Sequence, residues 1–399
     1  MTVTRRTFVK TAGVAGLGAL SLPLIAARGS EALRDGILDP NPLAARTGFA
    51  ADERAAYRRA FAKGIRLDSN ENPNGPGQTA LDGIRAMFGE ASRYPDSPTD
   101  EMRAAIASHR GVAAENVLIG CGSGEILRMA VYAFTSPGRA LVTAAPSFED
   151  PVKYAEMTQA AVHAVPVDGQ LKLDLDRMAD SAADAGLVFL CNPNNPTATV
   201  HGASAVRDFI AAVNRRAPDA VVMVDEAYHE YVDDPSYGTA IPLAMENPKV
   251  IAVRTFSKVY GMAGLRLGYA IGRPETLKLM QRHRLPNNVN VAAAAAALAT
   301  LPDAAHIERE RVLNRDAREF TRRALEQMGY KSPVSNTNFI MVPIGRDSKA
   351  FKDACAKQGI LVGRAFPPLT THARISIGTM DEMKRAVDVF RQVLSGAAD

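Results

Sequence analysis

The stretch VIAVRTFSKVYGMAGLR, residues 250–266, determines how the whole chain is interpreted. Its first four residues are apolar and typical of a buried strand, and Lys258 follows shortly after them. A lone lysine is most often a solvated surface charge, but this one follows a buried-looking strand and precedes Gly261 and Gly264, small residues that a surface strand end would not need. A lysine in a partly desolvated pocket has a lowered pKa and becomes a workable nucleophile toward carbonyl groups. We therefore predict that Lys258 is catalytic.

Short apolar runs alternate with amphipathic, helix-like stretches from about residue 78 to residue 285. Five runs are apolar on both faces, which is typical of a mostly parallel sheet covered by helices on each side. Ligands of an open parallel sheet bind at the carboxyl ends of its strands. Each run is followed by polar, glycine-rich or aromatic residues, which predicts a ligand site at this edge. The runs begin at Val117, Ala140, Leu187, Val221 and Val250.

The first run is followed by GCGSG, residues 120–124, just before a predicted helix that opens near Ser123. Backbone N–H groups at Ser123 and Gly124, together with the helix N-terminus, would favour a phosphate. Ser257 and Arg266 could reach the same phosphate. The loop is also a near match to a dinucleotide-binding fingerprint, so a nicotinamide dehydrogenase is one alternative.

The remaining strand ends carry groups that suit a ring-shaped cofactor. Asp225 follows a buried run, and a buried carboxylate needs a cationic partner such as a pyridinium nitrogen. Keeping that nitrogen protonated makes the ring an electron sink. Tyr228 and Asn192 are suitable donors to a phenolate oxygen of the ring. Phe148 could stack on the ring face, although a core aromatic is an equal interpretation of it.

The pattern changes near Pro286. A long helical region, residues 291 to about 328, is followed by a shorter mixed segment with strand candidates at 339–342 and 373–377. A last helix is predicted at about 381–394. This part of the chain indicates a second, smaller α+β unit.

These patterns divide the chain into four predicted segments. Residues 78–285 form a large α/β domain that binds the cofactor, and residues 286–399 form the smaller domain. Residues 31–77 are rich in turn formers and predict an arm that belongs with the smaller domain. Residues 1–30 differ in composition, because a charged start leads into a mild apolar run rich in Gly and Ala.

The adjacent Arg5 and Arg6, before Thr-Phe-Val-Lys, resemble a twin-arginine (Tat) export signal. A membrane span needs about 20 strongly apolar residues, whereas the run here is shorter and contains Gly, Ser and Pro23. We therefore expect a periplasmic protein without a stable membrane anchor; a cytoplasmic protein with a disordered extension is the alternative. A protein that must acquire a cytosolic cofactor has a reason to fold before export.

Charge and composition argue against other classes of partner. The formal net charge of +4 comes from 47 basic and 43 acidic side chains spread along the chain, so nucleic acid is not an expected partner. Three cysteines without a CxxC pair and seven histidines without ligand spacing predict no metal site.

Six motifs stand in a fixed order along the chain. They are Asn70-Glu-Asn-Pro73 with Gly75, Tyr94-Pro95, Asn192-Pro-Asn-Asn-Pro-Thr197, Asp225-Glu-Ala-Tyr228, Ser257-Lys258 with Arg266, and Arg374-Ile-Ser-Ile-Gly378. In this order and spacing they resemble the fold-type I, class I/II aminotransferases, and within these the histidinol-phosphate aminotransferase family. The resemblance runs from about Leu67 to Val393.

This resemblance implies the α/β PLP-transferase fold of type I, whose large domain has a mostly parallel seven-stranded sheet, plus a smaller α+β domain. It implies pyridoxal 5'-phosphate (PLP) as the cofactor. The implied reaction is ping-pong transfer of an amino group between an amino acid, or a histidinol-phosphate-like amine, and a 2-oxo acid.

The family's residue roles carry over as implications of the resemblance. Lys258 would hold PLP as a Schiff base and move the proton between the substrate Cα and the cofactor. Asp225 would pair with the pyridine nitrogen, while Asn192 and Tyr228 would bind the ring oxygen. Phe148 stands at the stacking position, where the family often has Tyr. Lys258, Asp225 and Tyr228 are thus the predicted catalytic residues.

The resemblance also assigns residues to the cofactor phosphate. Backbone groups of Ser123 and Gly124, with Ser257 and Arg266, would hold it. Tyr94 would reach the phosphate of the cofactor in a second subunit, which implies a homodimer with shared sites.

Substrate binding is assigned to the C-terminal part and the arm. Arg374 would bind the substrate α-carboxylate in a bidentate fork that Lys could not reproduce, and Asn72 and Arg364 are further candidates. Gly124 stands where many relatives have Asp, and Ala198 replaces the usual Gly. Arg364 lies one position later than the arginine expected to bind a substrate phosphate, so histidinol phosphate stays open as the donor.

Other functions fit parts of this pattern. A PLP-dependent decarboxylase or oxidase would keep the cofactor and break a different bond at Cα. A non-catalytic ligand-binding protein or a nicotinamide dehydrogenase would leave Lys258, Asp225 and Arg374 without a joint purpose.

Overall fold

The computed structural model describes residues 64–396. The predicted signal, residues 1–30, and most of the predicted arm lie outside the described residues. The strands are β1 (Ile65–Leu67), β2 (Val117–Cys121), β3 (Ala140–Ala145), β4 (Val162–Pro166), β5 (Ala185–Cys191), β6 (Val221–Asp225), β7 (Val250–Thr255), β8 (Leu267–Gly272), β9 (Phe339–Pro343), β10 (Ile360–Val362) and β11 (His372–Ser376).

Helices surround these strands, and none within residues 64–396 has both the length and the hydropathy that a membrane span requires. They are α1 (Gln78–Ala86), α2 (Asp96–Arg110), α3 (Ser123–Phe134), α4 (Asp150–Met157), α5 (Leu175–Asp180), α6 (Ala203–Arg216), α7 (Ile241–Glu246), α8 (Pro274–Gln281), α9 (Val291–Thr300), α10 (Ala304–Gln327), α11 (Ser348–Lys357) and α12 (Met380–Leu394).

The central feature is a seven-stranded sheet in the order β2-β8-β7-β6-β5-β3-β4. Strands β3 to β7 pair in parallel, and β8 is antiparallel to both of its neighbours, β7 and β2. Alternate residues of the strands pack into two separate hydrophobic clusters, one on each face. The predicted fold class, with a mostly parallel sheet covered on both sides, is confirmed.

All five predicted apolar runs form strands of this sheet, namely β2, β3, β5, β6 and β7. Strands β4 and β8 were not predicted. Strand β4 lies at the edge of the sheet and is only partly buried, so it lacks a continuous apolar run. Strand β8 contains glycines at 268 and 272, and glycine has low strand propensity.

The C-terminal part forms a second layer with its own hydrophobic cluster. Here β9 and β11, which were both predicted as strands, pair antiparallel. Strand β10 pairs in parallel with β1. Helices α10, α11 and α12 pack together with these strands. The predicted long helix is broken between α9 and α10, at Pro302, because proline ends helices at the residue before it.

Helix α9 belongs with the sheet rather than with the C-terminal layer. Ala293, Ala294 and Ala296 are buried in the cluster that also contains Ala80 and Met102 of α1 and α2. This packing differs from the predicted boundary at 285/286, which assigned the helix to the smaller domain. A run of alanines is apolar on every face of a helix, so its sequence does not indicate a packing partner.

Two loops that carry predicted motifs touch through their backbones. Gly261, three residues after Lys258, has a φ of 68°, in the left-handed region that favours glycine. A Cβ at this position would collide with the carbonyl of Gly75. This contact therefore holds the loop after residue 70 against the loop that carries Lys258.

We expect Gly261→Ala to lower the free energy of unfolding by about 1–3 kcal/mol, because backbone must shift to admit the methyl group. Gly264→Ala is the matched control: its Cβ would meet no atom within 4 Å, and it should change stability by about 0.5 kcal/mol or less. Urea unfolding of the two variants measures the difference. Equal stability of the variants would contradict the assigned contact.

Candidate active site

Lys258 follows β7 and directs its amine into the protein. Nζ donates a hydrogen bond to the Asn70 carbonyl oxygen at 3.1 Å and lies 5.4 Å from the centre of the Tyr228 ring. Burial, together with the positive charge of Arg374, lowers the pKa of Lys258 to about 8. Desolvation disfavours the charged amine, so a larger fraction is neutral near pH 7 than for a surface lysine.

Asp225 ends β6 and is 4% exposed. Its Oδ1 accepts a hydrogen bond from the Ala227 backbone N–H at 3.1 Å. Burial raises the pKa of Asp225 to about 7, although the Ala227 N–H and the charge of Lys258 act in the opposite direction. A cationic partner would stabilise the ionised form of this buried carboxyl group, because a nearby positive charge favours that form.

The N-terminus of α3 faces a guanidinium and a hydroxyl group. Gly122 has a φ of 76°, and a Cβ there would collide with the Arg266 guanidinium. Arg266 Nη1 donates to Ser257 Oγ at 3.4 Å. Ser123 begins α3, and a Cβ on Gly124 would meet no described atom within 4 Å. Backbone donors, a cation and a hydroxyl therefore converge on a cradle suited to an anion.

Asn192 has different partners from those predicted. Its Oδ1 accepts from His201 N at 2.8 Å, and its Nδ2 donates to His201 O at 3.1 Å. Both ends of the amide bind this backbone, so the side chain is held in place beside the loop after β5. Its Nδ2 has a second hydrogen, and the predicted contact with a ring oxygen stays a prediction. Asn195 of the same motif instead accepts from Arg374 Nη1 at 2.9 Å. Sequence reasoning missed Asn195, although the motif contains it.

Asn70 joins four parts of the site and was quoted in a motif without a predicted role. Its carbonyl oxygen accepts from Lys258 Nζ and from Asn338 Nδ2, the latter at 2.9 Å. Its side chain donates to Tyr228 OH at 3.2 Å and accepts from Ser376 Oγ at 2.8 Å. Its φ is 54°, which is uncommon for a residue other than glycine and often marks a functional position.

Asn72 supports the loop that carries Asn70. Its Nδ2 donates to Val259 O at 2.9 Å and to Glu310 Oε2 at 3.2 Å. Asn74 Nδ2 donates to the same Glu310 oxygen at 2.7 Å. Both amide hydrogens of Asn72 are thus used within the protein, and its role in substrate binding stays a prediction.

Arg374 lies in β11 and is 8% exposed. Its Nη1 donates to Asn195 and its Nη2 to the Asp68 carbonyl oxygen. Its Nε is buried and has no hydrogen-bond partner among residues 64–396. Burial lowers the pKa of Arg374 to about 10, which leaves the guanidinium charged at neutral pH. A buried donor without a partner is costly, so Nε suits a ligand acceptor such as a carboxylate.

The other predicted residues lie further out. Arg364 is exposed and pairs with Glu149 at 2.6 Å. Phe148, directly before Glu149, is half-buried against the cluster on one face of the sheet. Tyr94 is 78% exposed, so within one chain its ring is not enclosed by the site.

These residues fit PLP in the charges and chemical groups that they offer. The raised pKa of Asp225 suits a protonated ring nitrogen, and the anion cradle suits a phosphate. The inward amine of Lys258 suits an aldehyde. Among residues 64–396, no group of His, Cys, Asp and Glu side chains has the arrangement of a metal site.

The chain matches the family aminotransferase class I and II over residues 62–390 and belongs to that family. Among similar proteins, the histidinol-phosphate aminotransferase of Symbiobacterium thermophilum is 38% identical over 332 residues, which cover 83% of this chain and 90% of the relative. The aromatic amino acid aminotransferase of Nocardia farcinica is 38% identical over 327 residues, which cover 80% and 88%.

Solved structures resemble the fold over most of its length. The histidinol-phosphate aminotransferase of Sinorhizobium meliloti, in complex with PLP, aligns with a TM-score of 0.81 at 26% identity, covering 90% of this chain and 99% of that one. The predictions of a PLP-dependent aminotransferase and of PLP as its cofactor are confirmed by these relationships. The roles of individual residues stay predictions.

The contacts of Asn70 generate a test with two variants. Asn70→Gly keeps a backbone that tolerates positive φ but removes the hydrogen bonds to Tyr228 and Ser376, and we expect kcat/KM to fall about tenfold or more. Asn70→Ala should lose the same activity and, in addition, about 1–2 kcal/mol of stability, because Ala is strained at this φ. Steady-state kinetics and urea unfolding measure both. Wild-type kcat/KM in either variant would refute the role of the side chain.

Proposed function

We propose that Lys258 binds PLP covalently and moves the proton at the substrate Cα in this aminotransferase. The observation that carries the proposal is its inward amine, 3.1 Å from the Asn70 carbonyl oxygen and with a pKa lowered to about 8. The lowered pKa leaves a larger fraction of the amine neutral at pH 7 than in a surface lysine, and the neutral amine acts both as a nucleophile and as a base. Bound PLP supplies an electron sink that makes the Cα proton more acidic.

Asp225 and Tyr228 serve the ring of the cofactor in this proposal. Asp225 keeps the pyridine nitrogen protonated, because the two opposite charges stabilise one another in a buried place. Burial raises the pKa of Tyr228, so its hydroxyl keeps its proton. Since this hydroxyl already accepts a hydrogen bond from Asn70, its own hydrogen is available to a ring oxygen. Phe148 supplies the stacking surface for the ring in this proposal.

Ser123, Gly124, Ser257 and Arg266 hold the cofactor phosphate in this proposal. The support is the cradle described above, in which a helix N-terminus faces Arg266 Nη1 and Ser257 Oγ. The dipole of α3 adds to the attraction for a dianion.

Arg374 binds the α-carboxylate of the amino donor and of the 2-oxo acid in turn. Asn195 and the Asp68 carbonyl fix the plane of its guanidinium, and Nε is left with a hydrogen to donate. Fixing the planar group in advance lowers the entropy lost on binding.

We expect Lys258→Ala to lose transamination by a factor of about 10⁴, the upper range for a general base. It should also lose the borohydride-sensitive absorbance band of the wild type while keeping non-covalent PLP. The assay measures 2-oxo acid formed from a panel of amino donors against amino groups transferred. Lys278→Ala, an exposed lysine of α8, is the control and should keep full activity.

Two outcomes would contradict this proposal. Wild-type transamination by Lys258→Ala would remove its assigned role. Release of carbon dioxide without amino transfer by the wild type would indicate decarboxylation instead.

We propose further that two copies of the chain form a homodimer in which Tyr94 completes the partner's site. Tyr94 is 78% exposed and Phe88, in the preceding turn, is 66% exposed. Large apolar side chains at a surface often mark an interface, and a two-fold interface presents the same patch on both copies.

A mixture of two inactive variants tests this arrangement. We expect Tyr94→Phe and Lys258→Ala each to have little activity alone, whereas their co-expression in equal amounts should restore about a quarter of wild-type activity. Half of the dimers would then be hybrids, each with one intact site. Light scattering measures the oligomeric state. A monomer, or a mixture no more active than its components, would argue against shared sites.

We propose export through a Tat-type signal in residues 1–30, which lie outside the described residues. The support is the arginine pair at 5 and 6 before a short apolar run. Fusion of residues 1–30 to a reporter should give transport that is lost with Arg5→Lys and Arg6→Lys together; a retained reporter would place the protein in the cytoplasm.

A further inference from the structure

Arg364 and Arg374 lie against the same phenyl ring. The Arg374 guanidinium carbon is 4.7 Å from the centre of the Phe366 ring, and that of Arg364 is 4.3 Å from it. A donor whose α-carboxylate binds Arg374 therefore has its side chain within reach of Arg364 and of the apolar surface of Phe366. The two arginines are nonetheless unequal, because one is buried and the other is exposed.

The charge of Arg364 is already compensated by Glu149. Arg364 Nη2 is 2.6 Å from Glu149 Oε2, and its Nη1 donates to the Ala365 carbonyl at 2.8 Å. Glu149 directly follows Phe148 and precedes α4, so the ion pair joins the loop after β3 to the segment after β10. This ion pair lies close to Arg374. The charge of Arg364 lowers the pKa of Arg374, and the charge of Glu149 raises it.

No second cation can stand at the neighbouring position 363 with this backbone. A Cβ on Gly363 would lie 2.7 Å from the Arg374 carbonyl oxygen and 3.2 Å from Arg374 Nε. Any side chain there would displace Arg374 itself. Because Arg364 shares the Phe366 ring with Arg374, it is the candidate counter-ion for an anionic substituent on the donor, in competition with Glu149.

We propose that Glu149 determines the class of amino donor, by making this part of the site electrically neutral. Donors with an uncharged, aromatic side chain meet Phe366 at no electrostatic cost. Donors with a phosphate or second carboxylate must displace Glu149 or lie beside it, and like charges brought together discriminate against a ligand. This inference rests on the proposed role of Arg374 in binding the α-carboxylate.

The test compares phenylalanine and glutamate as amino donors with the PLP-loaded enzyme. We expect wild type to prefer phenylalanine, and Glu149→Gln to raise the kcat/KM ratio of glutamate to phenylalanine about fivefold or more, because Arg364 is released. Asp150→Asn removes an equal charge one residue away, where Asp150 pairs with Lys153. This control should leave the ratio within about twofold.

Binding of unreactive analogues gives a second measurement that does not depend on turnover. Glutarate should bind Glu149→Gln about fivefold more tightly than wild type, while hydrocinnamate should bind both equally. In the Arg364→Gln background, Glu149→Gln should lose most of this gain, as expected when two groups act through one another.

The outcomes separate this inference from the proposed function. Turnover by wild type with an unchanged donor ratio in Glu149→Gln overturns the inference alone, as does an equal gain in the Arg364→Gln background. A ratio that shifts as much in Asp150→Asn would reduce the effect to general surface charge and also overturn it. Lack of turnover with every donor would overturn the proposed function and the inference with it.

Discussion

The burial of the Lys258 amine is the constraint on which the rest of the site depends. An amine held out of water is costly to keep charged, and the charge of Arg374 adds to that cost. The amine still needs an acceptor, and the carbonyl oxygen of Asn70 supplies one without adding a full negative charge. Asp225 stands in electrostatic range as the compensating carboxyl group, and its own pKa is shifted toward neutrality. The pKa of Lys258 is thus lowered and the pKa of Asp225 is raised, so the two values approach one another.

Much of this arrangement could be predicted from sequence, because strand ends and ligand sites are coupled in parallel sheets. Buried apolar runs predict strands, and the residues that follow these runs are predicted to form the site. Lys258, Asp225 and Tyr228 follow from this rule, and the structure brings them together at one edge of the sheet. Arg374 required the resemblance to a family, since its strand belongs to the C-terminal layer and has no neighbour in the large sheet.

The asparagines could not be sorted by the same reasoning. Asn70, Asn72, Asn192 and Asn195 all lie in recognisable motifs, and an amide can donate or accept in any of them. Which one faces the ligand depends on the path of each loop and on partners far away in sequence, such as Glu310 for Asn72. The spacing of motifs along the sequence gives neither the path of a loop nor its distant partners. Helix α9 presents the same difficulty for packing, because its alanines are apolar all round.

The hydrogen bonds of Asn70 span 188 residues to Lys258 and 306 residues to Ser376. Contacts of such separation carry a loop-closure entropy that contacts between neighbours in the sequence do not. Ser376 belongs to the last strand in the sequence. The same strand carries Arg374, whose charge helps to lower the pKa of Lys258. Removal of this one strand would therefore take away both the hydrogen bond to Asn70 and the charge beside Lys258, although every strand of the seven-stranded sheet precedes it in the sequence.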